Sequence, residues 1–142
     1  MSNPESKDAL NKDTLNLDNN LVCLVGNQDY SEAEIEDLFS HLFELTATLN
    51  SWVFYQRLGP DIGITTSGLS ALSKHYLELE AMGCKALAVE CELDNLYVSI
   101  IYERLPKELS LPIKISPDPD TLVTFLKTHV SQISLQLIDQ DR

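Results

Sequence analysis

Carboxylates, thiols and imidazoles are the side chains of this 142-residue chain that could act as acids, bases, nucleophiles or metal ligands. Carboxylates occur in close pairs, as in Glu78 with Glu80 and Glu90 with Glu92. Such a pair performs acid/base catalysis only when burial separates the two pKa values. Because aspartate and glutamate are mostly exposed in proteins, we expect these groups to be solvated surface charges.

The thiols and imidazoles show no local spacing typical of a metal site. They belong to Cys23, Cys84 and Cys91 and to His41, His75 and His129. Three cysteines without a Cys-x-x-Cys pair fit reduced thiols better than a disulfide framework. The sequence therefore predicts no metal and no cofactor. An enzyme site assembled from distant groups such as His75, Asp61 and Cys84 stays an alternative, which needs a shared cleft.

The glycine-rich loops of familiar enzymes are missing from the sequence. Neither the dinucleotide-binding pattern nor the P-loop pattern occurs, and the chain has five glycines. A hydrolase elbow needs Gly-x-Ser-x-Gly, whereas residues 63–68 read Gly-Ile-Thr-Thr-Ser-Gly. We therefore expect a protein that is not an enzyme.

Hydroxyl side chains cluster just before a predicted helix, in the segment Thr65-Thr66-Ser67-Gly68. Ser67 is expected at the N-cap, where its oxygen would accept an amide N–H. A phosphate placed there would meet the free amides and the positive end of the helix, and would add about two negative charges. We therefore take Ser67, with Thr66 as the alternative, as the candidate for modification. The predicted partner-docking loop consists of Asp61, Thr65, Thr66, Ser67 and Gly68.

Strand and helix signals alternate along the chain and would position this loop. Short apolar runs predict strands over residues 21–25, 51–58, 85–89 and 111–116. Capping and stop signals predict helices from Ser31 to about Leu49, from Ser67 to Gly83, and from Asp118 onward. Residues 93–105 read as a helix or a strand, and the surrounding alternation favours a helix. Four strand–helix units predict an α/β fold, with a mostly parallel sheet and helices packed on it.

The segment 62–91 resembles part of a known domain family. Its Ser-Gly-Leu start, followed by Leu72, Tyr76, Leu79 and a closing Gly83 before an apolar strand, resembles the core of the STAS domain. That family includes anti-sigma factor antagonists and the cytoplasmic domains of sulfate transporters. The resemblance implies a STAS-like fold and a regulatory protein-interaction module. Thr65 departs from the family pattern, which usually has an aspartate there. The extra N-terminal strand of the family is not evident either, unless Thr14 to Leu17 supplies it.

Composition and charge limit the partners. The formal net charge of −12 repels phosphate backbones and anionic lipids, so we expect neither nucleic acid nor membrane as a partner. No apolar run approaches the ~20 residues needed to cross a bilayer, and the polar start lacks a signal peptide. The sequence therefore predicts a cytoplasmic protein, with a flexible tail over residues 1–19 and a single domain over 20–142.

Three further interpretations stay open at this stage. Aromatic side chains could line a pocket for a small apolar ligand, although a core position is the more ordinary fate of such residues. They are Trp52, Phe54, Tyr55, Tyr76, Tyr97 and Tyr102. A homodimer could form through the second predicted helix or through a strand edge near Pro112. Residues 133–137 alternate in hydropathy, so they could add a strand or a docking arm.

Overall fold

The computed structural model describes residues 14–26, 29–59, 62–92, 105, 109–133 and 138. Within them the chain forms five strands and three helices. The strands are β1 (Thr14–Asp18), β2 (Leu21–Gly26), β3 (Trp52–Leu58), β4 (Cys84–Glu90) and β5 (Ile113–Ser116). The helices are α1 (Glu32–Thr46), α2 (Thr66–Ala81) and α3 (Pro119–Lys127).

The strands form one sheet in which their spatial order is their order in sequence, from β1 to β5. Strands β2 to β5 run parallel to one another, whereas β1 is antiparallel to β2. The two strands of this hairpin are joined by Asn19 and Asn20, and Asn19 has a φ of 57°. Asparagine tolerates this left-handed conformation better than most residues. The predicted α/β class and mostly parallel sheet are confirmed, with one antiparallel strand added.

The sheet is covered by helices on both faces. Successive side chains of a strand point to opposite sides, so each face contributes its own set of side chains to a core. One face packs on α1 and α2, and its core includes Val22, Phe54 and Leu87 from three neighbouring strands. The other face packs on α3, and its core includes Val53 and Ala88. The three central strands are therefore almost continuously buried, which explains their unbroken apolar runs in the sequence.

The predicted caps of α1 and α3 are confirmed. Ser31 and Glu34 form a capping box, in which the Ser31 amide donates to Glu34 Oε1 at 2.9 Å. Asp118 caps α3, and Pro119 is its first residue. Helix α1 ends at Thr46 and not near Leu49, because the Leu49 amide bonds back three residues to Thr46 in a tighter turn.

The end of the second predicted helix is confirmed as well. The Met82 amide donates to Glu78 and Leu79 carbonyl oxygens, and Gly83 follows with a φ of 101°. The indole N–H of Trp52 donates to the Met82 carbonyl at 2.9 Å. A glycine is needed at position 83 because a Cβ there would also lie 2.9 Å from the Asn50 carbonyl oxygen.

Three sequence predictions need correction or lie outside the described residues. The expected flexible tail over 1–19 is wrong for residues 14–18, which form β1 because the alternating Leu15 and Leu17 pack against the core. The doubtful element 93–105, which is the helix of the predicted third strand–helix unit, lies outside the described residues except for Leu105. Most of the segment 133–137 lies outside them too.

Candidate functional site

The loop between β3 and α2 is attached to the segment that precedes α1. The Tyr30 amide donates to the Gly63 carbonyl at 2.9 Å, and the Thr65 amide donates to the Tyr30 carbonyl at 3.0 Å. The Gly63 amide donates to Asp29 Oδ1 at 2.8 Å. This short parallel bridge, which pairs Tyr30 with Ile64, fixes the starts of α1 and α2 relative to each other.

Helix α2 begins two residues earlier than the sequence suggested. Its N-cap is Thr65 and not Ser67, and Thr65 Oγ1 accepts the Gly68 N–H at 3.0 Å. The bond from Thr65 to Tyr30 holds the cap residue in the extended conformation that an N-cap requires. The prediction that Ser67 caps the helix is therefore wrong, and Ser67 occupies the second helical position.

The three hydroxyl side chains at this helix start are all exposed, whereas Gly68 is buried. Ser67 Oγ lies 3.4 Å from Thr65 Oγ1, which is long for a hydroxyl–hydroxyl hydrogen bond. Thr66 and Ser67 are thus accessible, while Thr65 also has a structural role in the cap. The structure therefore brings Thr65, Thr66, Ser67 and Gly68 together. Asp61, the fifth member of the predicted docking loop, lies outside the described residues.

Gly68 has a steric role that the sequence pattern did not reveal. A Cβ at this position would lie 2.9 Å from the Tyr30 carbonyl oxygen, 3.0 Å from Thr65 Oγ1 and 3.1 Å from Ile64 Cγ1. The first of these contacts is with backbone, which cannot rotate away. The glycine therefore allows the first turn of α2 to approach the Tyr30 segment closely.

The helix pair α1–α2 carries most of the negative charge of the described residues. Its two helices contain seven carboxylates and one lysine, whereas the other described residues contain six carboxylates and four basic side chains. The acidic residues of the pair are Glu32, Glu34, Glu36, Asp37, Glu44, Glu78 and Glu80, and the lysine is Lys74. The exposed hydroxyls therefore lie at one end of an acidic layer.

The residues of the enzyme alternative have separate partners in this structure. The ring nitrogens of His75 bond to Glu36 and Glu78. The Cys84 thiol donates to the Ala86 carbonyl, and burial raises its pKa to about 12, so it is protonated at neutral pH. Asp61 is outside the described residues. Across the part of the chain that the structure describes, no cluster of three metal-ligating side chains occurs.

The pocket alternative gains no support from the aromatic residues. Trp52, Phe54, Tyr55 and Tyr76 are buried in the core, and Tyr97 and Tyr102 lie outside the described residues. A cavity beside Tyr30 and Gln56 has a volume of about 10 Å³, which holds at most one water molecule. An open depression of about 820 Å³ lies at the other end of the sheet, beside Asn20 and Ser51, which precede β2 and β3.

A polar cluster that the sequence analysis missed lies at the carboxyl ends of β3 and β4. Arg57 Nε lies 3.3 Å from Glu90 Oε1, and the Tyr55 hydroxyl donates to the same oxygen. Arg57 also donates to the carbonyl oxygen of the buried Ile138. The cluster therefore attaches the chain near its C-terminus to the sheet. The sequence did contain a signal for this cluster. Arg57 lies one residue before the end of β3 and Glu90 lies at the end of β4, so two opposite charges occur at the same end of neighbouring strands.

Comparison with known proteins finds no family model that matches the chain, and no curated protein or solved structure with significant similarity. Among the residues that the structure covers, no helix combines the length and the apolar composition needed to span a bilayer.

Proposed function

We propose that this protein is a non-catalytic regulatory module that binds a protein partner through the docking loop, whose described residues are Thr65, Thr66, Ser67 and Gly68, and through the adjoining helix α2. Phosphorylation of Ser67, or of Thr66, switches the binding. The observation that carries the proposal is the set of exposed hydroxyls on a loop pinned by Tyr30 and Asp29, at the N-terminus of α2. A fixed and accessible loop is the part of a domain most suited to recognition.

A phosphate on Ser67 or Thr66 would act mainly through charge. It would lie in the first turn of α2, near the amide groups and the positive end of the helix dipole. It would also add about two negative charges to the acidic helix pair. A partner surface rich in lysine or arginine would then bind more tightly, and an acidic partner surface would be repelled.

The STAS resemblance supports the same proposal. Thr65 replaces the aspartate that is usual in the family, yet Thr65 serves as the N-cap of α2. Aspartate and threonine are both good N-cap residues, because each offers a side-chain oxygen to an amide of the first turn. The substitution therefore preserves the role of this position in the helix start. It leaves the hydroxyls of Thr66 and Ser67 exposed.

The first test is a phosphopeptide map of the protein purified from its native cells, both growing and stressed. Phosphate on Ser67 or Thr66 that changes with condition is the expected result. The matched control is Ser70, which is equally exposed one turn further along α2. A loop that is unmodified in every condition would remove phosphorylation from the proposal.

The second test concerns binding itself. A photo-crosslinking residue at position 66 is expected to capture a protein partner in the native cells. The same residue at position 114, an exposed position on β5, serves as the control. Capture that is equal at both positions, or no capture at position 66, would argue against the docking loop. The Ser67→Ala and Ser67→Glu variants should then change the yield of the crosslink in opposite directions.

A further inference from the structure

His75 lies on α2 where that helix faces α1, and it is 8 % exposed. Its Nε2 is 2.9 Å from Glu36 Oε1 on α1, and its Nδ1 is 2.6 Å from Glu78 Oε1 on α2 itself. The imidazole therefore joins the two helices through both of its ring nitrogens. The two carboxylates keep access to water, with side-chain exposures of 45 % and 44 %.

Aromatic side chains of α1 hold the ring in place. The imidazole stacks on Phe39 with a centroid distance of 4.8 Å and an interplanar angle of 14°. Phe43 meets it edge-on at 6.2 Å. A ring restrained on both sides cannot turn away from its carboxylates without losing these contacts.

The number of hydrogen bonds that His75 can make to Glu36 and Glu78 depends on the protonation state of the imidazole. A carboxylate oxygen only accepts hydrogen bonds, and a neutral imidazole has one N–H donor, whereas an imidazolium has two. Both contacts of His75 can therefore be hydrogen bonds only when both ring nitrogens carry hydrogen. In the neutral ring, one nitrogen lone pair would face a carboxylate oxygen at hydrogen-bond distance. Glu36 on α1 and Glu78 on α2 are the charged groups that contact the ring nitrogens.

We propose that His75, together with Glu36 and Glu78, is a pH-sensitive clamp between α1 and α2. With the imidazolium, both bonds are made and the helices are held together. As the pH rises and the ring loses a proton, one of the two bonds is lost and the helix pair loosens. Histidine is the side chain whose charge ordinarily changes near neutral pH, which suits it to a switch of this kind. This device is independent of phosphorylation in the docking loop.

The test is urea unfolding of the full chain at about pH 6 and about pH 8. We compare the wild type with His75→Gln, which does not titrate, and with His41→Gln, which removes an exposed histidine of α1 as the matched control. The folding equilibrium constant should fall between the lower and the higher pH, and the factor by which it falls should be about three- to tenfold larger for the wild type than for His75→Gln. This range is that of one charge-assisted hydrogen bond to a partly exposed carboxylate. His41→Gln should behave as the wild type.

A second variant keeps the test decisive if His75→Gln does not fold. Glu36→Gln leaves the ring and its stacking in place but removes one carboxylate, and it should reduce the pH dependence by about half. Hydrogen exchange of α1 and α2 should be faster at the higher pH in the wild type only. The proposal is overturned if Glu36→Gln and His75→Gln keep the full pH dependence of the wild type, or if His41→Gln abolishes it.

Discussion

Replacing Gly68 by alanine tests whether close packing at the start of α2 fixes the docking loop. An alanine is usually better than glycine inside a helix, by about 1 kcal/mol, so propensity alone predicts a more stable protein. The structure predicts the opposite. The new Cβ would lie 2.9 Å from the Tyr30 carbonyl oxygen, where ordinary van der Waals contacts begin at 3.4 Å.

The magnitudes decide the sign of this effect. Relief of the contact requires a shift of about half an ångström of the helix or of the Tyr30 segment, and overpacking of this kind costs about 1–3 kcal/mol. The same shift strains the bond from the Gly68 amide to Thr65 Oγ1, and loss of an N-cap costs about 1 kcal/mol. After the gain in helix propensity is subtracted, Gly68→Ala should lower the free energy of unfolding by about 1–3 kcal/mol.

Urea unfolding followed by circular dichroism measures this change. Ser70→Ala controls for helix propensity at an exposed position of α2. This control should stay within about 0.5 kcal/mol of the wild type. A Gly68→Ala protein at least as stable as the wild type would refute the steric argument.

Four further predictions follow from the caps and the buried thiols. Thr65→Ala should lower the free energy of unfolding by about 1 kcal/mol, whereas Ser67→Ala should change it by less than about 0.5 kcal/mol in the same urea assay. Iodoacetamide should alkylate Cys84 far more slowly in the folded protein than in urea, because burial raises its pKa from 9.0 to about 12. Because Cys84 and Cys91 ionise mainly when unfolded, stability should fall as the pH rises above about 9; equal stability at pH 8 and 10 would contradict this. The hydrogen bond from Thr121 lowers the pKa of the Asp118 carboxyl. Asp118→Ala should therefore be less stable than the wild type at neutral pH, and this difference should disappear as acid protonates Asp118 in the wild type. Urea unfolding across this pH range measures the difference.

Local signals in the sequence were sufficient for much of the fold. The Ser31–Glu34 capping box and the Asp118–Pro119 helix start depend on residues close together in the chain, and both predictions were confirmed. The strands 52–58 and 84–90 were recognised within one residue of each end, because buried parallel strands are apolar without interruption. Helix caps and buried strands can therefore be predicted from local sequence.

The errors came from contacts between distant segments. Ser67 and Thr65 are both suitable N-caps, and the choice of Thr65 depends on its bond to Tyr30, which is 35 positions away in the sequence numbering. Strand β1 was assigned to a tail because Leu15 and Leu17 are two isolated leucines in a polar segment. They become a strand by pairing with β2. The contact of His75 with Glu36 likewise requires the packing of α1 against α2.

The consecutive order of the strands has a consequence for how the chain acquires its structure. Within the described part of the chain, each parallel strand pairs with the strand that precedes it, so none of these five strands has to be inserted between two others. The β1–β2 hairpin can form first, and each later strand can add to an edge already present. Domains are synthesised from the N-terminus, so each strand can meet a partner that has already left the ribosome. The sheet can therefore grow in the order in which the ribosome releases its strands.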